Sequence, residues 1–236
     1  MSDLTGEARA RYVRHMFGRI APRYDLLNRL MTFGQDRRWR QEAVRQLDLP
    51  SAPRVLDLGA GTGDLAFEVL ERQPEACLIA LDFTPGMMQL GRRRPQGSRV
   101  HWVVGDAARL PFAAAAFDAI VSGFLLRNVP DIDRVLVEER RVARSGARVV
   151  SLDTTPPPRT WMRPLLSFHL HTVIPFLGRI IAGDPEAYNY LPQSTERFLE
   201  AEALAEHMVA TGFRHVGYAR RMFDTVAIHW GSSPEG

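Results

Sequence analysis

The chain has 236 residues, 45% of them apolar and 24% charged, with a net charge of +3. That length suits one large α/β domain with a sizeable core, and the composition is that of a soluble globular protein. All 30 basic residues are arginine, so the high isoelectric point follows from arginine's pKa; aromatics do not interleave with a basic stripe, which argues against a nucleic-acid partner.

Cys77 is the single cysteine, and an internal disulfide is therefore excluded. This fits a reducing, cytoplasmic setting. The charged start leads into no apolar run of signal-peptide type. No apolar stretch reaches the ~18 residues of a membrane span.

In chain order, residues 1–8 are polar and expected to fray. From Arg9 to Leu47 apolar residues recur at helical spacing, with breaks expected at Ala21-Pro22 and Thr32-Phe33-Gly34. Arg37-Arg38-Trp39-Arg40 reads most simply as a solvated face. Residues 1–50 form a helical lid on the same domain.

Residues 51–155 carry the densest signal. Val55, Leu56 and Leu58 read as a buried strand, Gly59, Gly61 and Gly63 as a turn, and Asp64 to Arg72 as a helix. Strand, glycine turn and helix let a nucleotide-like ligand lie against bare backbone near a partly positive helix end. The spacing is G-x-G-x-G, not the G-x-G-x-x-G of dinucleotide sites. Asp57 stands just before the first glycine. This suits S-adenosylmethionine, which has no phosphate and whose ammonium an acid and backbone carbonyls can hold.

Residues 77–82 read as a second strand, ending about 20 residues past the turn in Asp82. There a carboxylate can accept both ribose hydroxyls, or simply cap the helix expected over 85–94. Phe83 could pack on the adenine. A third strand over 99–104 leads to Asp106, an acceptor for the adenine amino group, and to Ala107, a backbone donor. A fourth strand over 117–122 leads to Gly123, beside the cofactor, and to Arg127 and Asn128 on the reacting side, since ligands lie beyond the carboxyl ends of such strands.

A helix over 131–144 and a strand over 148–153 follow. Residues 156–192 are an apolar insertion whose stretch 160–182 is interrupted by Pro164 and Pro175; core packing and a lid over a greasy substrate both fit it. Residues 193–236 read as a helix over 193–211, capped by Gly212, and a hairpin over 214–221 and 224–231. The sum is one α/β domain over 1–236: a Rossmann-like, class I SAM-dependent methyltransferase architecture with a seven-stranded sheet, a C-terminal hairpin and an N-terminal helical lid.

Several stretches together resemble one family, the C-methyltransferases of menaquinone and ubiquinone biosynthesis. They are Val13 to Phe17, Ile20 to Asn28, Asp36 to Arg40, the glycine stretch, Leu81-Asp82-Phe83, Leu126 to Val129, Tyr188 to Ser194 and Val226 to His229. The likeness runs from about residue 13 to 231, and Leu152-Asp153-Thr154 is similar to the demethylmenaquinone branch. The resemblance implies transfer of a methyl group from S-adenosylmethionine to a ring carbon of a polyprenylated quinol. It implies cofactor contacts at Thr62, Asp82, Asp106 and Ala107. It implies that Arg127, Asn128 and Tyr24 order a water or the quinol hydroxyl. Arginine is a poor base, so Arg127 is assigned to the developing oxyanion; His169, His171 and His229 are alternative bases. A prenylated substrate implies transient contact with a membrane surface, without crossing it. Oligomeric state is not legible.

The chain departs from that family in three places. Leu125 fills a position that is usually glycine. Arg144-Ser145-Gly146-Ala147 replaces a Lys-Pro-Gly-Gly turn. Arg221-Met222-Phe223-Asp224 replaces a Thr-x-Gly block. A methyltransferase for another quinone, aromatic or lipid acceptor would look similar. An NAD-dependent oxidoreductase would need the G-x-G-x-x-G that is absent.

Overall fold

The computed structural model describes residues 6–157, 161, 163–182 and 185–235. Seven strands form one sheet in the order β3-β2-β1-β4-β5-β7-β6. They are β1 Arg54–Leu58, β2 Cys77–Asp82, β3 Val100–Val104, β4 Phe117–Gly123, β5 Ala143–Thr154, β6 Arg214–Arg221 and β7 Val226–Ser232. β1 to β5 pair in parallel, and β7 enters antiparallel between β5 and β6. The central strands are buried on both faces, as their unbroken apolar composition requires. This is the expected seven-stranded class I methyltransferase fold with its terminal hairpin.

Helices cover both faces. On one, α2 (Asp36–Arg45) and α3 (Asp64–Arg72) pack Trp39, Val44, Phe67 and Leu70 onto Val55, Val121 and Val150. On the other, α5 (Ile132–Val142) and α9 (Ala201–Ala210) pack Leu136, Leu204 and Met208 against Leu58, Ile120 and Val149. α4 (Pro85–Arg92) lies against β2, β3 and α1 (Gly6–Met31). α1 builds a smaller cluster of its own from Met16, Ile20, Leu27 and Met31.

Several expected boundaries moved. α1 begins at Gly6, inside the stretch expected to fray, and residues 1–5 lie outside the described residues. It runs through Pro22, where a break was expected. Pro22 is exposed and the buried stripe from Ile20 to Leu27 continues past it, so packing outweighs the lost hydrogen bond. The break at 32–35 is present. α5 ends at Val142, not Arg144, and β5 starts at once, because Ala143 already pairs with Phe117.

Residues 163–182 are one helical run, not a run broken at its prolines. α6 (Arg163–Phe168) and α7 (Ile174–Leu177) alternate with π-helical turns at His169–Val173 and Gly178–Ala182. Pro164 sits in the first turn of α6, where no N–H is needed, and the wider π turn before Pro175 accommodates its missing donor. The single helix expected over 193–211 is two: α8 (Pro185–Glu196), which contains Pro192, and α9.

Candidate active site

The turn after β1 is built by three glycines with positive φ: Gly59 at 71°, Gly61 at 56° and Gly63 at 89°. At Gly59 a side chain is excluded twice, by that φ and because its Cβ would lie 2.9 Å from Leu125 Cδ1. Gly63 caps α3 and has no side chain to offer its N–H groups. Asp57 does so from the strand, its Oδ2 accepting from Ala66 N at 2.9 Å. Asp82 secures the same turn from β2: Oδ2 accepts from Gly61 N at 2.8 Å and Oδ1 from Thr84 N at 2.6 Å. The N-cap of α4 is Thr84, so Asp82 is not the helix cap; it ties the cap residue to the glycine turn and lines the ligand side.

A cleft of about 900 Å³ opens over this turn. Among the expected residues it is lined by Tyr24, Asp57, Gly59, Gly61, Thr62, Asp82, Phe83, Ala107, Gly123 and Asn128. Asp106 is not part of the lining; it is exposed and its Oδ1 accepts from Ala108 N at 2.9 Å. Asp57 is fully buried, and burial raises its pKa to about 7. Its second oxygen, Oδ1, has no hydrogen-bond partner among the described residues. A buried acceptor without a donor, in a cleft walled by bare glycine backbone, fits a ligand that brings an ammonium. Burial also raises the pKa of Asp82.

α1 forms one wall of the cleft through Val13, Phe17, Tyr24 and Asp25. Asp25 is the contact that sequence reasoning missed: Thr62 Oγ1 donates to its Oδ1 at 2.8 Å, joining α1 to the glycine turn. Arg40 was read as part of a solvated run, yet it is only 8% exposed. It pairs with Asp36 at 2.5 Å and Asp64 at 3.2 Å, and Arg94 reaches Asp64 at 2.6 Å. Burial opposes ionisation of Asp64, but these arginines hold its pKa below the usual value. Arg37 and Arg38 are exposed, as expected.

Arg127 does not line this cleft. It is 7% exposed and borders a second, apolar cavity of about 870 Å³, walled by Met31, Trp39, Leu166, Leu170, Ile174 and Met222. Its Nη1 pairs with Asp153 Oδ1 at 2.5 Å, and its guanidinium lies 4.9 Å from the Phe124 ring centre. Asn128 Nδ2 donates to Phe124 O at 2.8 Å, and Tyr190 Oη donates to Asn128 Oδ1 at 3.1 Å. Phe124 has a φ of 57°, uncommon for an aromatic, and borders both cavities. Its backbone is held there by Leu152 O, which accepts from Phe124 N at 2.7 Å. Burial raises the pKa of Tyr24 against the opposing field of Arg127, so Tyr24 stays a neutral phenol.

The three histidines separate. His229 is 2% exposed, donates from Nε2 to Ala201 O at 2.8 Å, and burial lowers its pKa. His171 lies outside, against Glu196 at 2.7 Å. His169 lines the apolar cavity. Its Nε2 is 3.1 Å from Met31 O, a pure acceptor, so Nε2 carries a proton and donates it there. Leu125 and Met222, from two of the departures, line the first and second cavities respectively. Met222, Phe223 and Asp224 take φ values of 47°, 54° and 62°, an all-left-handed turn without glycine.

By structure the chain resembles a SAM-dependent methyltransferase of Thermotoga maritima, with TM-score 0.67 and 18% identity over 93% of this chain and 99% of that one. It also resembles the [4+2]-cyclase SpnF, with TM-score 0.70 and 16% identity over 95% of this chain and 96% of that one. A fold shared with a cyclase does not by itself specify methyl transfer. Sequence is more specific. The chain is 46% identical to the demethylmenaquinone methyltransferase of Thermus thermophilus over 93% of this chain and all 100% of that protein. It is 45% identical to the ubiquinone/menaquinone biosynthesis C-methyltransferase UbiE of Desulfotalea psychrophila, over 93% of this chain and 89% of that protein. The sequence model of the ubiE/COQ5 methyltransferase family matches residues 5–233, and the chain belongs to that family.

Proposed function

We propose that the chain methylates a ring carbon of a polyprenylated demethylmenaquinol, giving menaquinol, with S-adenosylmethionine as donor. The observation that carries this reading is the pair of cavities meeting at Phe124: a cleft over a glycine turn with a buried unpaired carboxylate oxygen, and an apolar cavity edged by Arg127 and His169. The names of the relatives from Thermus and Desulfotalea point to the same acceptor class.

When bound, S-adenosylmethionine supplies an electrophilic methyl group on a sulfonium. Asp57 accepts from its ammonium, Asp82 from the ribose hydroxyls, and Ala107 offers a backbone N–H. Thr62, tied to Asp25, keeps the turn and α1 together. The chain's remaining task is to raise electron density on the acceptor ring. A quinol hydroxyl gives its proton to His169 Nδ1, and the charge spreads from the oxygen to the ring carbon. Arg127 stabilises that oxyanion, while Asn128 and Tyr24 orient the hydroxyl. His169→Gln should lower kcat while leaving donor affinity unchanged; an unchanged kcat removes His169 from the reaction.

A second acceptor, another aromatic ring, is favoured by one observation: Leu125 and Met222 reshape both cavities at positions where the chain departs from its family. Incubating the protein with the donor and either reduced demethylmenaquinone or other phenolic rings separates the two. Methylated menaquinone supports the proposal; its absence while the donor is bound overturns it.

A further inference from the structure

The unmatched acceptor Asp57 Oδ1 in the first cleft has a counterpart in the second cavity. Asn28 lines that cavity from α1, and its Nδ2 is buried with no hydrogen-bond partner among the described residues. Its backbone is fully engaged: Asn28 O accepts from Thr32 N at 3.0 Å and from Thr32 Oγ1 at 2.8 Å. Only the side-chain amide is left over. A buried N–H without an acceptor is costly in a folded chain, and it is accounted for where a ligand brings the oxygen.

The polar neighbours along the cavity wall are committed elsewhere. Asp36 holds Arg40, and Arg127 holds Asp153. His169 Nε2 donates to Met31 O, Thr195 Oγ1 to Thr154 Oγ1, and Thr225 Oγ1 to Met222 O. The orientation of the Asn28 amide follows from Tyr24. Asn28 pulls the Tyr24 pKa down against burial, as an N–H turned towards the phenol oxygen does and a carbonyl does not.

Asn28 stands one helical turn after Tyr24, on the same side of α1. Tyr24 lines the first cleft and Asn28 the second cavity, so that turn leads from the donor side to the acceptor side. Arg127 borders the second cavity, and its field reaches Tyr24. A ring that presents its reacting hydroxyl to Tyr24 and Arg127 carries its far side towards Asn28. In a para-dihydroxy ring the far side bears the second oxygen, away from the carbon that takes the methyl group.

We propose that Asn28 Nδ2 donates to this second ring oxygen, so that the cavity selects rings with two oxygens para to each other over rings with one. The placement of the ring rests on the methylation reading above. Asn28 moves no proton; it binds and orients the acceptor. A site whose buried donor is left unmatched rejects an analogue that lacks the oxygen.

The test compares a short-chain reduced demethylmenaquinone with its analogue lacking the hydroxyl para to the reacting one, on wild type and on Asn28→Leu. Leucine keeps a branched side chain and removes the amide. Binding is read from quenching of tryptophan emission, since Trp39 lines the cavity, and methyl transfer by mass spectrometry. Wild type should prefer the dihydroxy ring by at least about tenfold in Kd and in kcat/KM. In Asn28→Leu the preference should fall to within about twofold, through weaker binding of the dihydroxy ring alone. Donor affinity in calorimetry should stay near that of wild type, which shows that the variant folds; Asn28→Ala, which adds no bulk, should lose the same preference. A preference that survives both substitutions, an equal loss on both rings, or no preference in wild type overturns the proposal. Wild type that binds neither ring overturns it together with the methylation reading. A preference in binding that the substitutions abolish, without methyl transfer to the dihydroxy ring by wild type, upholds the role of Asn28 and overturns the methylation reading alone.

Discussion

Lowering the pH should weaken donor binding through one residue, Asp57. Its carboxyl is fully buried, and burial, with Asp82 and Asp64 nearby, raises its pKa to about 7. Below that pH the site holds a neutral acid, and an ammonium can pair with it only after a proton leaves. The ionised fraction is about one half at pH 7 and about one eleventh at pH 6, so the apparent Kd should rise about fivefold, close to 1 kcal/mol, between them. Further acidification should approach tenfold per unit. The donor's own α-amino group, with a pKa of about 7.7–8.0, stays protonated over this window. Calorimetry in buffers of different ionisation enthalpy should count about half a proton released at pH 7 and nearly one at pH 6. Asp57→Asn keeps an acceptor for Ala66 N–H and removes the charge; it should bind weakly and without the pH slope. Asp82→Asn should weaken binding by about 1–3 kcal/mol at both pH values and leave the slope in place. A wild type with no slope and no proton release, or an Asp57→Asn variant that keeps both, refutes the reasoning.

Arg127→Lys leaves Asp153 a cationic partner but loses the planar fork; kcat should fall about a hundredfold with donor affinity nearly unchanged, and full turnover in single-turnover assays would remove Arg127 from the reaction. Replacing Arg127 by Ala should also unfold the protein more readily, by about 3–5 kcal/mol in urea titrations, because it strands buried Asp153; equal midpoints would contradict that. Glu139 is fully buried in α5 with neither oxygen hydrogen-bonded among the described residues, and burial raises its pKa from 4.5 to about 8. The folded state therefore keeps the proton longer than the unfolded one. Its contribution to stability is whole below about 4.5 and is lost as pH rises towards about 8, at up to about 1.4 kcal/mol per unit. Glu139→Met should flatten this part of the stability profile and stabilise the fold near pH 7 by about 3 kcal/mol; a profile as steep as wild type would show that Glu139 is not its source.

The sheet and its glycine turn were legible because their signals are local. A run such as Leu78 to Leu81 between an exposed Cys77 and a terminal Asp82 admits little besides a buried parallel strand. The prolines misled at Pro22, Pro164, Pro175 and Pro192, each of which lies in a helix whose neighbours or turn geometry absorb the missing donor. Asp57 and Asp82 could be found from their spacing to the turn. Asp25 could not, since its partner Thr62 is 37 residues away and only the packing of α1 brings them together. The ion pair between Arg127 and Asp153, 26 residues apart, is hidden for the same reason. Phe124 carries no sequence mark at all: its positive φ arises from the strand end and the short 3₁₀ turn Leu126–Asn128 that follows.

The central claim is that this chain adds the ring methyl group of menaquinone. Its most direct test is to remove the gene from its host and analyse the quinones by mass spectrometry. Demethylmenaquinone, one methyl group lighter, should accumulate, and menaquinone should be restored by the wild-type chain but not by the Arg127→Lys variant. Fully methylated menaquinone at wild-type level in the deletion host would contradict the account.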